Sequence, residues 1–269
     1  MTDQQSPEEP GRVIDLSVEV PGTPEEVWDT IATGPGITSW FVPHRVEERQ
    51  GGAVRMDFGP GFGEEGAEVA VWEPPHRLVM QSPGERGLAY EWLVEARDGG
   101  TCVVRLVNTG FGPGEDWDAD FDGMSAGWRI FLDHLRLQRI HFPGRRARAV
   151  IPTAMTAGPA DAAFQRLSAE LGAPAGAQVG DRFTTSGDGV PPLGGTVLQV
   201  DRTPATVATF LLLDTPAPGT AFLSAEGAGE HAAVSTYLYL YGDAADALDD
   251  VWTPFLQERF PAPVAAPEG

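Results

Sequence analysis

Between Ile14 and Val20 apolar and polar residues alternate. Ile14, Leu16, Val18 and Val20 fall on one face; Asp15, Ser17 and Glu19 fall on the other. A period of two is that of a strand buried on one side. Thr23-Pro24-Glu25-Glu26 follows, a hydroxyl at the N-cap, proline at the first helical position and acids in the first turn. Those are helix-start signals, and Val27, Trp28 and Ile31 supply the apolar stripe. Gly34-Pro35-Gly36 ends this helix, and a short second one is expected to run to Trp40-Phe41. The period then returns to two. Val54, Met56 and Phe58 alternate with Arg55 and Asp57; Val69–Trp72 leads through Pro74-Pro75 into Arg77–Gln81. Leu88, Tyr90, Trp92 and Val94 share a face, as do Cys102, Val104 and Leu106 beyond Asp98-Gly99-Gly100. Asp-Gly between alternating runs marks a hairpin. Finally Met124, Trp128, Phe131, Leu132, Leu135 and Phe142 fall at helical spacing over Gly123–Phe142, up to Pro143-Gly144. A helix of that length spans ~30 Å. The pattern predicts an α+β unit, an antiparallel sheet with its helices on one face.

The remainder repeats the order. Ala149–Thr156 reads as a strand, and Pro159 opens a helix through Phe164, Leu167 and Leu171. Strands are expected at Gly180–Thr185, Gly195–Asp201, Thr206–Asp214, Thr220–Ala225 and Ala232–Tyr241. A last helix over Ala244–Phe260 carries Leu248, Val251, Trp252, Phe255 and Leu256, with Pro254 expected to kink or restart it. The two closing helices share Trp128-x-x-Phe131-Leu132 and Trp252-x-x-Phe255-Leu256, and both end in Phe-Pro. We read a diverged tandem duplication: domains at 12–143 and 149–262, with disordered tails at 1–11 and 263–269.

Composition narrows the partners. There are 39 acidic residues against 18 basic ones, all of them Arg, for a net charge of −21. Such a surface repels phosphate backbones and anionic headgroups, so neither nucleic acid nor membrane is expected as a partner. Arg without Lys also suggests the coding bias of a high-GC bacterium. One cysteine, Cys102, leaves no internal disulfide and no multi-cysteine metal site. The first residues lack a basic and apolar leader, and no run approaches ~18 apolar residues. A cytoplasmic location is the expectation.

Four stretches and the closing helix bring a family into view. They are Thr23–Trp28, Trp40-Phe41-Val42-Pro43, Glu73-Pro74-Pro75-His76-Arg77-Leu78, and Gly100-Thr101 with Asn108-Thr109-Gly110-Phe111. The closing helix adds Gly127-Trp128, Leu132 and Leu135. In this order they resemble the SRPBCC (START-like) superfamily, in the branch similar to the C-terminal domain of activators of the heat-shock-protein-90 ATPase. The resemblance covers about half the chain. It implies a helix-grip fold, a curved antiparallel sheet wrapped around a long C-terminal helix, here expected in two tandem copies. It also implies an apolar cavity between sheet and helix. Candidate ligand-binding residues are Trp40, Phe41, Met56, Phe58, Met80, Tyr90, Trp92, Phe111, Trp128, Phe131 and Leu132. Tyr90 and Trp92 are the leading polar handles, with Asn108 and Arg105 behind them. The expected partner is a small hydrophobic molecule, with a protein client or a second copy as further possibilities. Non-enzymatic binding leads. A polyketide cyclase or aromatase-like enzyme and a chaperone-related interaction module are the alternatives.

Other motifs carry less. Asp118-Ala119-Asp120-Phe121-Asp122-Gly123 begins like a calcium loop, but Arg129 stands where the bidentate Glu belongs. An acidic cap with Asp122 near the N-cap is the better reading. The Gly-rich runs Gly59–Gly63 and Gly110–Gly114 read as loops, and the resemblance places them at the cavity mouth. His134 and His141 share a helix face ~10 Å apart, too far for one metal. No nucleophile elbow is present, so no catalytic residue, metal or cofactor is assigned. His44, His76 or Tyr90 would be the acid–base groups if chemistry occurs. Tyr237, Tyr239 and Tyr241 share one strand face, which either lies in a strand buried on both sides or packs on the other unit or a partner.

Overall fold

A computed structural model describes residues 12–59, 63–84, 87–112, 118–174, 176–227, 229–242 and 249–261. Both expected tails and parts of both Gly-rich loops lie outside these residues.

The first half runs β1 (Ile14–Pro21), α1 (Pro24–Ala32), α2 (Gly34–Thr38), β2 (His44–Val46), β3 (Ala53–Asp57), β4 (Glu64–Glu73), β5 (Arg77–Gln81), β6 (Ala89–Arg97), β7 (Thr101–Thr109) and α3 (Asp118–His141). The α1 start is built as its sequence implies. Thr23 Oγ1 accepts from the Glu26 backbone N–H at 3.3 Å, and the Glu26 carboxylate accepts from the Thr23 backbone N–H at 3.2 Å. This reciprocal cap satisfies two donors that a helix start leaves free. The strands form one antiparallel sheet ordered β1-β7-β6-β5-β4-β3-β2. Alternation decides its faces: Cys102, Val104, Leu106 and Asn108 of β7 turn inward, as do Tyr90, Trp92 and Val94 of β6.

The second half runs β8 (Arg148–Val150), β9 (Thr153–Ala157), α4 (Ala160–Glu170), β10 (Arg182–Thr184), β11 (Gly194–Arg202), β12 (Thr206–Thr215), β13 (Gly219–Glu226), β14 (His231–Leu240) and α5 (Asp249–Arg259). Its sheet is ordered β10-β11-β12-β13-β14-β8, with β9 also on β14. In each half the first strand pairs with the last, and the rest form a meander. The chain is therefore an α+β protein with two helix-grip arrangements in tandem. The second is reduced: one helix, α4, stands where the first has two.

Several expectations need correcting. The β2 strand was not legible, because three residues give no alternation to count. The α2 helix stops at Thr38, leaving Trp40 and Phe41 in the following turn. The α3 helix begins at Asp118, so the Asp118–Gly123 run is helical and Asp122 is not its cap. The single strand expected over Ala149–Thr156 breaks at Ile151-Pro152 into β8 and β9. Pro254 lies inside α5, and the segment 243–248 expected to open that helix lies outside the described residues.

The α3 helix is shared between the two halves. One side meets the first sheet. On another side Ile130 and Leu137 join Ala208, Phe210, Phe222 and Tyr239 of the second sheet in one buried cluster. The tyrosine face of β14 is this junction. Tyr237 meets Phe131 with ring centroids 5.5 Å apart, Tyr239 meets His134 at 4.2 Å, and Tyr241 stacks on Phe142 at 4.1 Å. Those tyrosines pack on the other unit, and the opposite face of β14 is buried too, so the strand fits both readings. The opposite face of the second sheet packs on α4 and α5 through Leu211, Leu223, Leu238, Trp252 and Leu256.

Candidate functional site

Between the first sheet and α3 lies an apolar cavity of about 170 Å³. The sheet supplies Met56 from β3, Met80 from β5, and Tyr90 and Trp92 from β6, with Phe58 just past β3. Register puts these side by side: Met80 pairs with Tyr90, and Met56 with His44 of β2. The α1–β2 segment adds Ile31, Ile37, Trp40, Phe41 and His44. The α3 helix adds Met124, Gly127, Trp128 and Phe131. Those four positions are i, i+3, i+4 and i+7, one face of a helix. Gly127 leaves a gap in that stripe. A Cβ placed there would meet nothing within 4 Å, so the missing side chain helps to open the space.

The aromatic rings form one connected wall. Trp92 meets Trp40 at 5.6 Å and Trp128 at 5.5 Å, both edge to face. Phe41 meets Trp128 at 4.8 Å and Phe131 at 4.5 Å. Edge-to-face packing sets the positive rim of one ring on the negative face of the next. Trp40 is additionally anchored, because its Nε1–H donates to the Thr30 carbonyl at 3.0 Å. Trp92 and Trp128 are not: their buried Nε1 atoms find no acceptor among the described residues.

Among the described residues two titratable side chains line the cavity. His44 is buried, and burial pulls its pKa down to about 4. Its Nδ1 lies 2.7 Å from the Val42 carbonyl, which only accepts, so Nδ1 carries the proton of the neutral ring. Its Nε2 is then an acceptor. Burial pushes the Tyr90 phenol up to about 12, with Glu65 contributing, so it stays protonated. Among the described residues no Arg, Asp or Glu is in the lining.

Most of the residues expected to line a cavity come together: Trp40, Phe41, Met56, Phe58, Met80, Tyr90, Trp92, Trp128 and Phe131. Two do not. Phe111 packs against Phe121 at 5.1 Å. Leu132 is buried on the flank of α3 beside a groove that Leu16 and Val18 of β1 share. Of the weaker candidates, Asn108 is buried beside Tyr90 and donates to the Ala89 carbonyl at 3.0 Å. Arg105 points outward and pairs with Asp15 at 2.7 Å. His76 is exposed in the β4–β5 turn. Ile31, Ile37, Met124 and Gly127 were missed. Helical spacing could have found Met124 and Gly127, since both lie on the stripe through Trp128 and Phe131.

Residues 21–137 match the family model described as activator of Hsp90 ATPase homolog 1-like protein. The match falls on the unit and the branch that the sequence motifs resemble. An uncharacterized protein of Mycobacterium tuberculosis, Rv1546, is 25% identical over 115 residues, covering 37% of this chain and 80% of the relative. The solution structure of Bacillus halodurans protein BH1534 is 20% identical and covers 48% of this chain and 96% of its own, with a TM-score of 0.43. The di-domain ARO/CYC BexL from the BE-7585A biosynthetic pathway is 14% identical over 94% of this chain and 100% of its own, with a TM-score of 0.46. Among the described residues no helix is long and apolar enough to cross a membrane.

Proposed function

We infer that the first unit binds a small apolar ligand, without chemistry, in the cavity between its sheet and α3. One observation carries the reading. The cavity is walled by apolar and aromatic side chains, with His44 and Tyr90 as the polar groups among the described lining residues. An apolar hollow with a few polar groups is what small-ligand sites use. The bounds 12–143 and 149–262 belong to the same proposal: the first unit holds the ligand, and the second buttresses α3 from behind.

His44 favours a second reading, an acid–base enzyme of the cyclase kind, because it is a titratable group on the cavity wall. Its low pKa argues against that role. A general base works best with a pKa near the operating pH, and His44 sits far below it. Tyr90, held protonated, gives it no complementary base. A chaperone-related module would expose a broad apolar face. The large hydrophobics exposed among the described residues, Val13, Ile140, Met155, Val179 and Val251, come from five separate segments.

Native mass spectrometry of the purified protein, followed by thermal shift across an apolar ligand library, tests the binding reading. A co-purifying small molecule, or ligands that raise Tm, is the expected result. Neither, across the whole library, would overturn it.

A further inference from the structure

We propose that Tyr237 and Phe222 of the second unit are positioning residues for the cavity of the first. They hold the Phe131 ring in place as cavity wall, and so set which apolar ligands the cavity prefers. This rests on the ligand-binding reading above and adds a control on that same site.

Phe131 stands between the two units. On one side it lines the cavity, and its ring meets Phe41 at 4.5 Å and 82°. On the other side it meets Phe222 and Tyr237, each at 5.5 Å, at 80° and 88°. Those two are cross-strand partners on β13 and β14, and their rings stack at 4.4 Å and 18°. Phe131 is thus set edge to face against a slab of two parallel rings. The slab is itself fixed. Phe222 is fully buried, and the Tyr237 phenol lies against the Ser235 and Thr153 hydroxyls, whose oxygens are 3.0 Å apart. Three residues further along α3, His134 adds a second tie, bonded to both the Trp40 carbonyl and the Thr220 hydroxyl.

Packing decides which neighbours hold the ring. A helical phenylalanine has two accessible χ1 wells, so its ring can lean either way. The cavity leaves space in front of it, and the slab fills the space behind. Close-packed side chains resist displacement, so the second unit holds Phe131 forward. Removing the Tyr237 ring leaves a void behind Phe131. Such voids close in part as neighbours move into them, and Phe131, unobstructed on its cavity side, is free to do so. The wall then retreats and the cavity deepens towards the second sheet. Contact alone does not establish control, and Tyr241 supplies the comparison. It stacks on Phe142 at 4.1 Å at the same junction, and neither is among the described residues that line the cavity.

The test measures a ratio of affinities. Two neutral probes, 4-fluorotoluene and 1-fluoronaphthalene, are titrated into the full chain and followed by fluorine NMR. Lost stability weakens both alike, whereas a retreating wall favours the two-ring probe. Tyr237→Ala is expected to raise the preference for 1-fluoronaphthalene about ten-fold, the upper worth of one ring-on-ring contact. Tyr237→Phe keeps the ring and should keep the wild-type ratio, as should Tyr241→Leu. In the wild type the ring protons of Tyr237 should shift on ligand binding, and those of Tyr241 should not. That measurement, made with whichever probe or library ligand binds, decides if Tyr237→Ala fails to fold. An unchanged ratio in Tyr237→Ala, an equal rise in Tyr241→Leu, or unmoved Tyr237 protons would overturn the proposal and leave the cavity a ligand site. No binding of either probe or of any library member would overturn the ligand-binding reading itself.

Discussion

Gly127 is where one missing side chain separates a cavity from a filled core. It lies in the helix interior between Met124 and Phe131, where glycine costs about 0.5–1 kcal/mol relative to alanine. Its Cβ position is open, so Gly127→Ala should raise unfolding stability by roughly that amount while narrowing the cavity. Gly127→Leu should go further and abolish thermal shifts by apolar ligands. Gly123 is the control. It is also helical with an open Cβ position, yet it is absent from the cavity lining. Gly123→Ala should give the same stability gain in urea unfolding with ligand response intact. Equal loss of ligand response in both alanine variants would separate the cavity from Gly127. Most of the wall was legible because strand alternation and helical spacing fix which side chains face inward. Phe111 misled because it lies past the end of β7, where neither period applies. Trp92 was legible as a polar handle; that its indole and that of Trp128 lack an acceptor among the described residues was not, since pairing depends on neighbours from other elements.

At the scale of elements, α3 carries more than its sequence stripe announced. The apolar spacing showed Met124, Trp128, Phe131 and Leu135. It did not show that Ile130, His134 and Leu137 form a second buried side. A helix buried on several sides keeps a weaker one-sided pattern. Arg139, near its end, is 2% exposed in its side chain. Its Nε–H donates to the Pro21 carbonyl at 3.1 Å, and its guanidinium lies 3.2 Å from Glu26. It thus ties α3 to the β1–α1 corner. Gly22 makes room for it: φ is +129°, and a Cβ would come 2.1 Å from the guanidinium. Arg139→Met keeps much of the bulk but leaves the Pro21 carbonyl unpaired. A loss of about 1–3 kcal/mol in urea unfolding is expected. Gly22→Ala should destabilise comparably, through backbone strain and displacement of Arg139. A neutral result for both would remove this corner from the fold's support.

At the scale of the molecule, the repeated order of elements was legible as a duplication, and the β14 tyrosine face was legible as one side of a junction, but its α3 counterpart was not. His134 sits at that junction. Its Nδ1–H donates to the Trp40 carbonyl at 2.9 Å, and its Nε2 accepts from the Thr220 hydroxyl at 2.7 Å. It thus links a cavity-wall residue to the second sheet through a neutral imidazole. Burial pulls its pKa down to about 4, as it does for His44. The sign of the pH effect follows. An unfolded histidine titrates near ~6.5, so below that pH the unfolded chain binds more protons than the folded one. Each histidine contributes stability that is complete above that value and lost as pH falls towards 4, on the order of 3 kcal/mol apiece. Protonating surface carboxylates acts the opposite way, by relieving self-repulsion in a chain of net charge −21. The difference between variants therefore carries the test. Wild type and His134→Gln should each be unfolded in urea between pH 7.5 and 4.5. The variant starts less stable, because glutamine cannot reproduce both bonds. Its stability should fall less steeply with acid, by close to one proton's worth of slope. Parallel pH profiles would mean that the buried imidazole between the two sheets does not titrate on unfolding, and that acid sensitivity arises elsewhere.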